Sequence, residues 1–326
     1  MKIFCFPYVV INEIMKHLKP VERISLSLCS KNANAFVKTY SNTGQDLSIT
    51  LSDEDQGYSV SCPGELLILM LSERPTCLET SDLMTARGFE YGFTEHGQFI
   101  ICCDDFVQGC QEITNYICDL FKTSVTNITI TREESQWLLD FAQRRQEQPL
   151  KKVFAWLSDM NAQGYSRLMS CNVTELLDCG MVPPDNYRFD AKLPAVKKLI
   201  ITKGFWITRE NLLGLESHIA YLSYTQLTSS DINALLRSWL NKRLSKLKFL
   251  RIYGRIPDNQ IYEGIHDRLE PAQREISYNW DDDVRPFQFN TNTFHIRRDD
   301  GVVATVTFNG RLSVMAVWPD LDGNRV

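Results

Sequence analysis

The sequence predicts an α/β protein: a group of short amphipathic helices in front, a strand–helix repeat in the second half, and an antiparallel β meander at the end. Three observations carry this. Apolar residues recur at helical spacing between Tyr8 and Leu28. Short apolar strand patterns, each followed by a turn and a helix that opens with Thr, begin at Asn127, Lys198 and Ala220. Residues 294–318 alternate apolar and polar around Asp300-Gly301 and Asn309-Gly310, pairs that suit two-residue hairpin turns.

The front helices come first. In the stretch "FPYVVINEIMKHLKPVERISLSLCSKNANAFV" (6–37), Asn12, Glu13, Lys16, His17 and Lys19 form the polar side of one helix. Tyr8, Val10, Ile11, Ile14, Met15 and Leu18 fill an apolar arc of about 160°, wider than the roughly 100° stripe that one packing neighbour requires. Pro20 suits the first position of a second helix, where its missing N–H is no loss. In that helix Val21, Ile24 and Leu28 share a face and Leu26 points away from it. The excess apolar surface is expected to meet another protein; the alternative is that the region that follows in the chain covers it.

The polar run "SNTGQD" (41–46) closes this module at about residue 42. Residues 43–124 read as a connecting region of small strands ("LSITL", "YSVSC") with a helix near Cys110 to Lys122. From Val125 to Val326 the pattern is more regular. Thr131 is followed three residues on by Glu134, Thr208 by Asn211 and Thr228 by Asp231, so each pair can form a reciprocal capping box, Glu134 fitting it best. Ile232, Leu235, Leu236, Trp239 and Leu240 make one apolar stripe on the helix after Thr228.

Strand onsets at Ile200, Leu222 and Leu250 recur at roughly the 20–29-residue period of leucine-rich repeats, although no ladder Asn stands at the bend. The handedness of strand–helix–strand units lays such strands parallel, with the helices on one side. "VFAWL" (153–157) is a further candidate rung. The second half is therefore expected to be a leucine-rich-repeat-like curved layer closed by the meander. On its concave face Tyr224, Arg251 and Tyr253 are candidates for contact with a target. Trp239 belongs to the core stripe, and Trp206 reads as core in preference to an exposed binding aromatic.

Composition limits function. The 326 residues are 44% hydrophobic and 23% charged with net charge −5, so no overall positive field draws the chain to nucleic acid or anionic lipid. The longest apolar run, Leu66–Leu71, falls far short of the roughly 20 residues that cross a bilayer, and no secretory pattern opens the chain. Ten cysteines, none in C-x-x-C spacing, read as reduced thiols of a cytoplasmic or nuclear protein. Asp281-Asp282-Asp283 reads as a solvated turn, and Asp299-Asp300 as part of a hairpin. Phosphate-loop, G-x-S-x-G and H-E-x-x-H motifs are absent, and the five histidines share no spacing. The sequence indicates no catalytic site, no metal and no cofactor.

Two stretches resemble known modules. The front resembles an F-box: a Phe-Pro opening, an Ile-x-x-x-Leu helix end, Pro20 at the second helix, then "LSLCSK" (26–31). By that resemblance Phe6, Pro7, Ile14, Leu18, Pro20 and Leu26 face the adaptor subunit. Lys19 departs from it, standing where an Asp or Asn often caps the second helix, an omission that typically costs about 1 kcal/mol. Asn34 departs too, near the place of a frequent Trp. "LTSSDINALLRSWLNKRLSKLKFLRI" and "IRRDDGVVATVTF" look like the type 2 F-box-associated domain of nematode F-box proteins, through Asp231, Asn233, Leu236 and Trp239 and through Arg298, Asp300, Gly301, Ala304 and Thr305. The resemblance implies a non-catalytic, substrate-recognising subunit of an SCF-type ubiquitin ligase. Its F-box would bind the adaptor and, through it, cullin, and its C-terminal domain would bind a target protein. The alternatives are a protein-interaction scaffold with a drifted F-box and an enzyme with an unfamiliar site on the α/β layer.

Overall fold

The computed structural model describes residues 7–40, 48–53, 58–62, 65–71, 84–86, 89–93, 99–103, 105–156, 159–256, 261–279, 285–291 and 293–318. The chain divides into two compact units, Met1–Leu150 and Lys151–Val326. The boundary read from sequence at 124–125 lies inside the first of these units, because Val125–Ile130 pairs with Ile49–Ser52 of the connecting region.

The first unit opens with α1 (Tyr8–His17), α2 (Pro20–Leu28) and α3 (Lys31–Tyr40). Each turns one i, i+4 pair inward: Ile11 and Met15, Ile24 and Leu28, Ala33 and Val37, all buried. There follow β1 (Ile49–Ser52), β2 (Tyr58–Cys62), β3 (Glu65–Leu71), β4 (Met84–Ala86), β5 (Phe89–Phe93), β6 (Phe99–Cys102), α4 (Phe106–Phe121), β7 (Val125–Ile130) and α5 (Trp137–Arg145). The strand order is β7-β1-β2-β3-β6-β5-β4. Pairs β1–β7 and β3–β6 are parallel and the others antiparallel. Asp105 caps α4 by accepting from the Gln108 N–H, and Lys122 ends it in the left-handed region.

The expected box at Thr131 and Glu134 does not form. The buried carboxylate of Asp53 accepts from the N–H groups of Thr131, at 2.6 Å, and Arg132, at 3.0 Å. The chain there makes a 3-10 turn (Glu133–Gln136) before α5.

The second unit runs from β8 (Leu150–Ala155, its first residue closing the first unit) through α6 (Ala162–Met169), β9 (Val173–Cys179), β10 (Lys198–Ile201), α7 (Arg209–Leu213), β11 (Ile219–Thr225), α8 (Ser229–Leu240) and β12 (Phe249–Gly254). It ends with β13 (Leu269–Pro271), β14 (Ile276–Tyr278), β15 (Phe287–Phe289), β16 (Phe294–Arg297), β17 (Val303–Phe308) and β18 (Leu312–Trp318). Strands β9 to β12 lie parallel in sequence order. Both remaining capping boxes form: Thr208 with Asn211 on α7, and Thr228 with Asp231 on α8. Ile232, Leu235, Leu236 and Trp239 are buried as the stripe requires. Trp206 is core: its ring meets Tyr165, Tyr187 and Phe189 edge-on at 5.3–6.1 Å.

Two expectations need correction. The parallel strands and their helices keep the order of a repeat, but they belong to one mixed sheet, and among the described residues no leucine-rich-repeat solenoid is resolved. Nor is the end a discrete meander. β16, β17 and β18 pair antiparallel, but β18 also pairs with β12, Leu250 opposite Met315, and so continues the sheet. The physical reason is the open edge of β12, whose unpaired N–H and C=O groups take up β18. The small hairpin β14–β15 then covers part of this sheet, packing Ile276, Tyr278 and Phe289 with Phe249, Val314 and Trp318.

The turns also differ in detail. Arg298 N–H donates to Val302 O at 2.9 Å, enclosing a three-residue loop at Asp299–Gly301 with Gly301 at φ +86°. In the next hairpin the two loop residues are Gly310 (φ +79°) and Arg311, and Asn309 Oδ1 accepts from the N–H of Arg311 and Leu312. The Asp281–Asp283 turn and the linker at 41–46 lie outside the described residues.

Candidate functional site

The front helices leave apolar side chains uncovered after their inner faces are filled. On α1, Val9 is 74% exposed, Tyr8 63% and Val10 42%. Val10 and Ile14 follow one another at i and i+4 along one line of the helix, and Leu18 is its extended C-cap. Ile14, Leu18, Pro20, Val21 and Leu26 are half-buried, Pro7 is exposed, and Phe6 lies outside the described residues. The most open apolar position, Val9, escaped the wheel argument, which is blind to how little packs on the first turn of a helix.

The two departures from the F-box pattern have local substitutes. Lys19 offers no acceptor, but the Glu22 carboxylate accepts from the Lys19 N–H at 2.7 Å. Arg23 Nε donates to Leu18 O at 3.0 Å, tying the start of α2 to the end of α1. Asn34 is buried, and its Nδ2 donates to the Tyr116 hydroxyl on α4 at 3.0 Å, which anchors α3.

A second surface lies at the C-terminal ends of β10, β11 and β12. An open cleft of about 1060 Å³ is bounded there by Lys203, Tyr224, Thr225, Tyr253, Arg255 and Arg311, among others. Tyr224 occupies φ +53° where the register with β12 shifts between Ser223 and Thr225. For a bulky side chain this backbone costs on the order of 1–3 kcal/mol, and the bulge that imposes it re-aims the ring outward, 58% exposed. Neighbouring backbone pins the bulge: the Gly204 N–H donates to Ser223 O at 2.8 Å. A Cβ on Gly254 would stand 2.6 Å from Thr225 O, so only glycine fits beside the bulge. Tyr224 and Tyr253 meet edge-on at 6.3 Å, and Lys203 Nζ lies 4.6 Å from the Tyr224 ring centre.

Of the expected target contacts, Tyr224 and Tyr253 are therefore brought together, and Arg251 is not with them. Its guanidinium lies 5.2 Å from the Tyr221 ring and 6.0 Å from Phe287 of the covering hairpin. Lys203, Arg255 and Arg311 were not singled out by sequence. They come from three separate turns that only the sheet order assembles.

The residues that carry the family resemblance hold the second unit together. Asn233 Nδ2 donates to Ile261 O and Glu263 O, both at 2.9 Å. Arg298 lies 5.1 Å from the Trp239 ring and pairs with Asp300, which holds that carboxyl down at about 2. Thr305 Oγ1 accepts from the Trp318 indole at 2.9 Å. No acid–base pair forms in the cleft, whose described lining holds cations and tyrosines but no Asp, Glu, His or Cys. Burial pushes the thiols of Cys110 and Cys171 up to about 12 and those of Cys118 and Cys179 up to about 11, the opposite of what a nucleophile needs. Among the described residues no group of His, Cys, Asp and Glu is placed to hold a metal ion, and no helix is long and apolar enough to cross a membrane.

A helical module with an uncovered apolar stripe, joined to an α/β unit with an open cleft, is the build of a protein-interaction subunit. Comparison with known proteins agrees. Residues 3–43 match the F-box domain family and residues 193–252 the F-box associated family, so the chain carries an F-box and an F-box-associated domain. Both are non-catalytic protein-interaction modules. Similar stretches occur in two Caenorhabditis elegans proteins. One is the E3 ubiquitin-protein ligase hecw-1, 29% identical over 116 residues, which are 32% of this chain and 9% of that protein. The other is the uncharacterized protein F59B2.9, 30% identical over 112 residues, 34% of this chain and 26% of that protein. The chain thus spans a minor part of each relative. No solved structure matches.

Proposed function

We propose that the protein is the substrate-recognising subunit of an SCF-type ubiquitin ligase, a role with which the pairing of its two domains is consistent. The F-box module, residues 1–42, docks the adaptor and through it cullin. A connecting region follows, and the mixed-sheet α/β region from residue 125 holds a target protein. The observation that carries the reading is the apolar surface left on the front helices, where Val9 and Val10 are exposed and Ile14, Leu18 and Leu26 are half-buried, although the helices' own core is already filled by Ile11, Met15, Ile24 and Leu28. Docking removes such apolar surface from water, worth roughly 25 cal/mol per Å².

The chain performs no bond chemistry in this scheme. It contributes proximity: a target lysine held on the same assembly as a ubiquitin-charged enzyme meets it at a tethered concentration, of millimolar order for short flexible connections. The reading places the protein in the cytoplasm or nucleus. Co-purification of adaptor and cullin tests it. Wild type is expected to recover both, and Val10→Asp with Leu26→Asp to lose both while keeping its helical circular dichroism. Equal recovery by the variant contradicts the proposal; recovery of neither by wild type points instead to a scaffold with a drifted F-box.

A further inference from the structure

Resting on that reading, we propose that the cleft at the ends of β10 to β12 takes an anionic peptide segment of the target. A phosphate or carboxylate would sit among Lys203, Arg255 and Arg311, and an apolar neighbour would lie on Tyr224 and Tyr253. Three observations converge. The first is charge. The chain is acidic, at −5, yet the described residues lining this cleft include three cations and no carboxylate. Among the described residues, no acidic side chain pairs with Lys203, Arg255 or Arg311. Elsewhere on this unit exposed cations do find acids: Lys192 and Lys246 share Glu216, and Arg268 pairs with Asp299.

The second observation is the assembly of the cations. The Gly254 N–H donates to Arg311 O at 2.9 Å and the Ile256 N–H to Gly310 O at 3.2 Å. These bonds hold the turn that carries Arg311 beside the chain that carries Arg255. The third is the strained bulge, which spends backbone energy to keep an aromatic ring in solvent. Within the fold the Tyr224 ring meets Tyr253 edge-on and Lys203 Nζ and still stays 58% exposed, surface that a peptide side chain laid across the two rings would cover.

Position agrees with chemistry. Ligands of open α/β sheets bind beyond the carboxyl ends of the strands, and this cleft lies beyond the carboxyl ends of parallel β10, β11 and β12. Guanidinium groups suit either anion, since their planar fork matches carboxylate and phosphate.

The test uses purified full-length protein and four oriented peptide libraries with degenerate flanks. The fixed central residue is phosphoserine, glutamate, serine or lysine. Wild type is expected to retain the phosphoserine library, or that and the glutamate library, at least about tenfold over serine and lysine, as one charge-assisted contact implies. Preference for phosphoserine alone assigns the anion as phosphate; equal retention of glutamate assigns an acidic segment. Arg255→Ala with Arg311→Ala should abolish the preference, and Tyr224→Ala should weaken retention while leaving the anion preference in place. Retention of all four libraries alike, of none, or of a thymidine oligonucleotide more tightly than any peptide would overturn the proposal. Adaptor recovery by the same samples separates the two ideas. Normal recovery without anion preference removes this inference alone. Anion preference without adaptor recovery removes the ligase reading and leaves the cleft.

Discussion

Val10 and Ile11 are neighbours in sequence with opposite surroundings: Val10 is 42% exposed and Ile11 is 4% exposed. If α1 packs inward through Ile11 and Met15 and offers Val10 to a partner, alanine at the two sites must separate stability from binding. Ile11→Ala removes a fully packed branched side chain, a change that costs about 2–5 kcal/mol. For a chain of this size that lowers the melting temperature by roughly 5–15 °C. Val10→Ala removes two carbons from a side chain that water already reaches, so its stability cost stays within about 1 kcal/mol. In a docked complex the same truncation at the centre of the contact is worth on the order of 2 kcal/mol, about thirtyfold in affinity. Thermal unfolding followed by circular dichroism, with adaptor binding scored per folded molecule, reads both quantities. The reasoning fails if Val10→Ala melts as low as Ile11→Ala, or if Val10→Ala binds the adaptor as well as wild type does.

Two further perturbations probe the second unit. Burial raises the Asp178 carboxyl to about 6, against the nearby Lys198, and its Oδ1 has no partner. The folded state therefore holds that proton more tightly than the unfolded one, and stability falls as pH climbs from about 4 to about 6. Asp178→Asn should stabilise the protein at pH 7 by roughly 1–2 kcal/mol, after discounting for its partial exposure, and not at pH 4; urea unfolding with the same pH slope as wild type would refute this. Gly254→Ala drives a methyl to 2.6 Å from Thr225 O, so it should destabilise by about 1–3 kcal/mol and reduce peptide retention in the cleft. Wild-type melting and retention in that variant would show that the bulge yields freely.

Much of this fold was legible because its cause is local. Apolar spacing placed α8 and its buried face, and two of three Thr boxes formed where a short side chain needs only its own next turn. The third was lost to Asp53, whose carboxylate arrives from a strand 78 residues away in sequence and takes the amides first. The same limit governs the sites. Periodicity turned Leu26 from the inner face of its helix, but it put Ile14 and Leu18 in one apolar arc with the buried Ile11 and Met15, and only the F-box resemblance set them apart. Tyr224 and Tyr253 could be named from strand alternation, but the bulge that exposes Tyr224 depends on Gly204, in the loop after β10, and Gly254, at the end of β12. Arg255 and Arg311 carry no local mark at all. They meet because β18 pairs with β12, a non-local choice. Arg251 shows the converse: alternation put it beside Tyr253, and a hairpin 36 residues later, through Phe287, covered it.

Hydrogen exchange of the full chain with and without purified adaptor tests the central claim most directly. Slowed exchange in residues 7–28, with α8 and β12 unchanged, is the result expected if the front helices hold an apolar face for that partner. Unchanged exchange in α1 and α2 at saturating adaptor, or protection confined to the second unit, would contradict it.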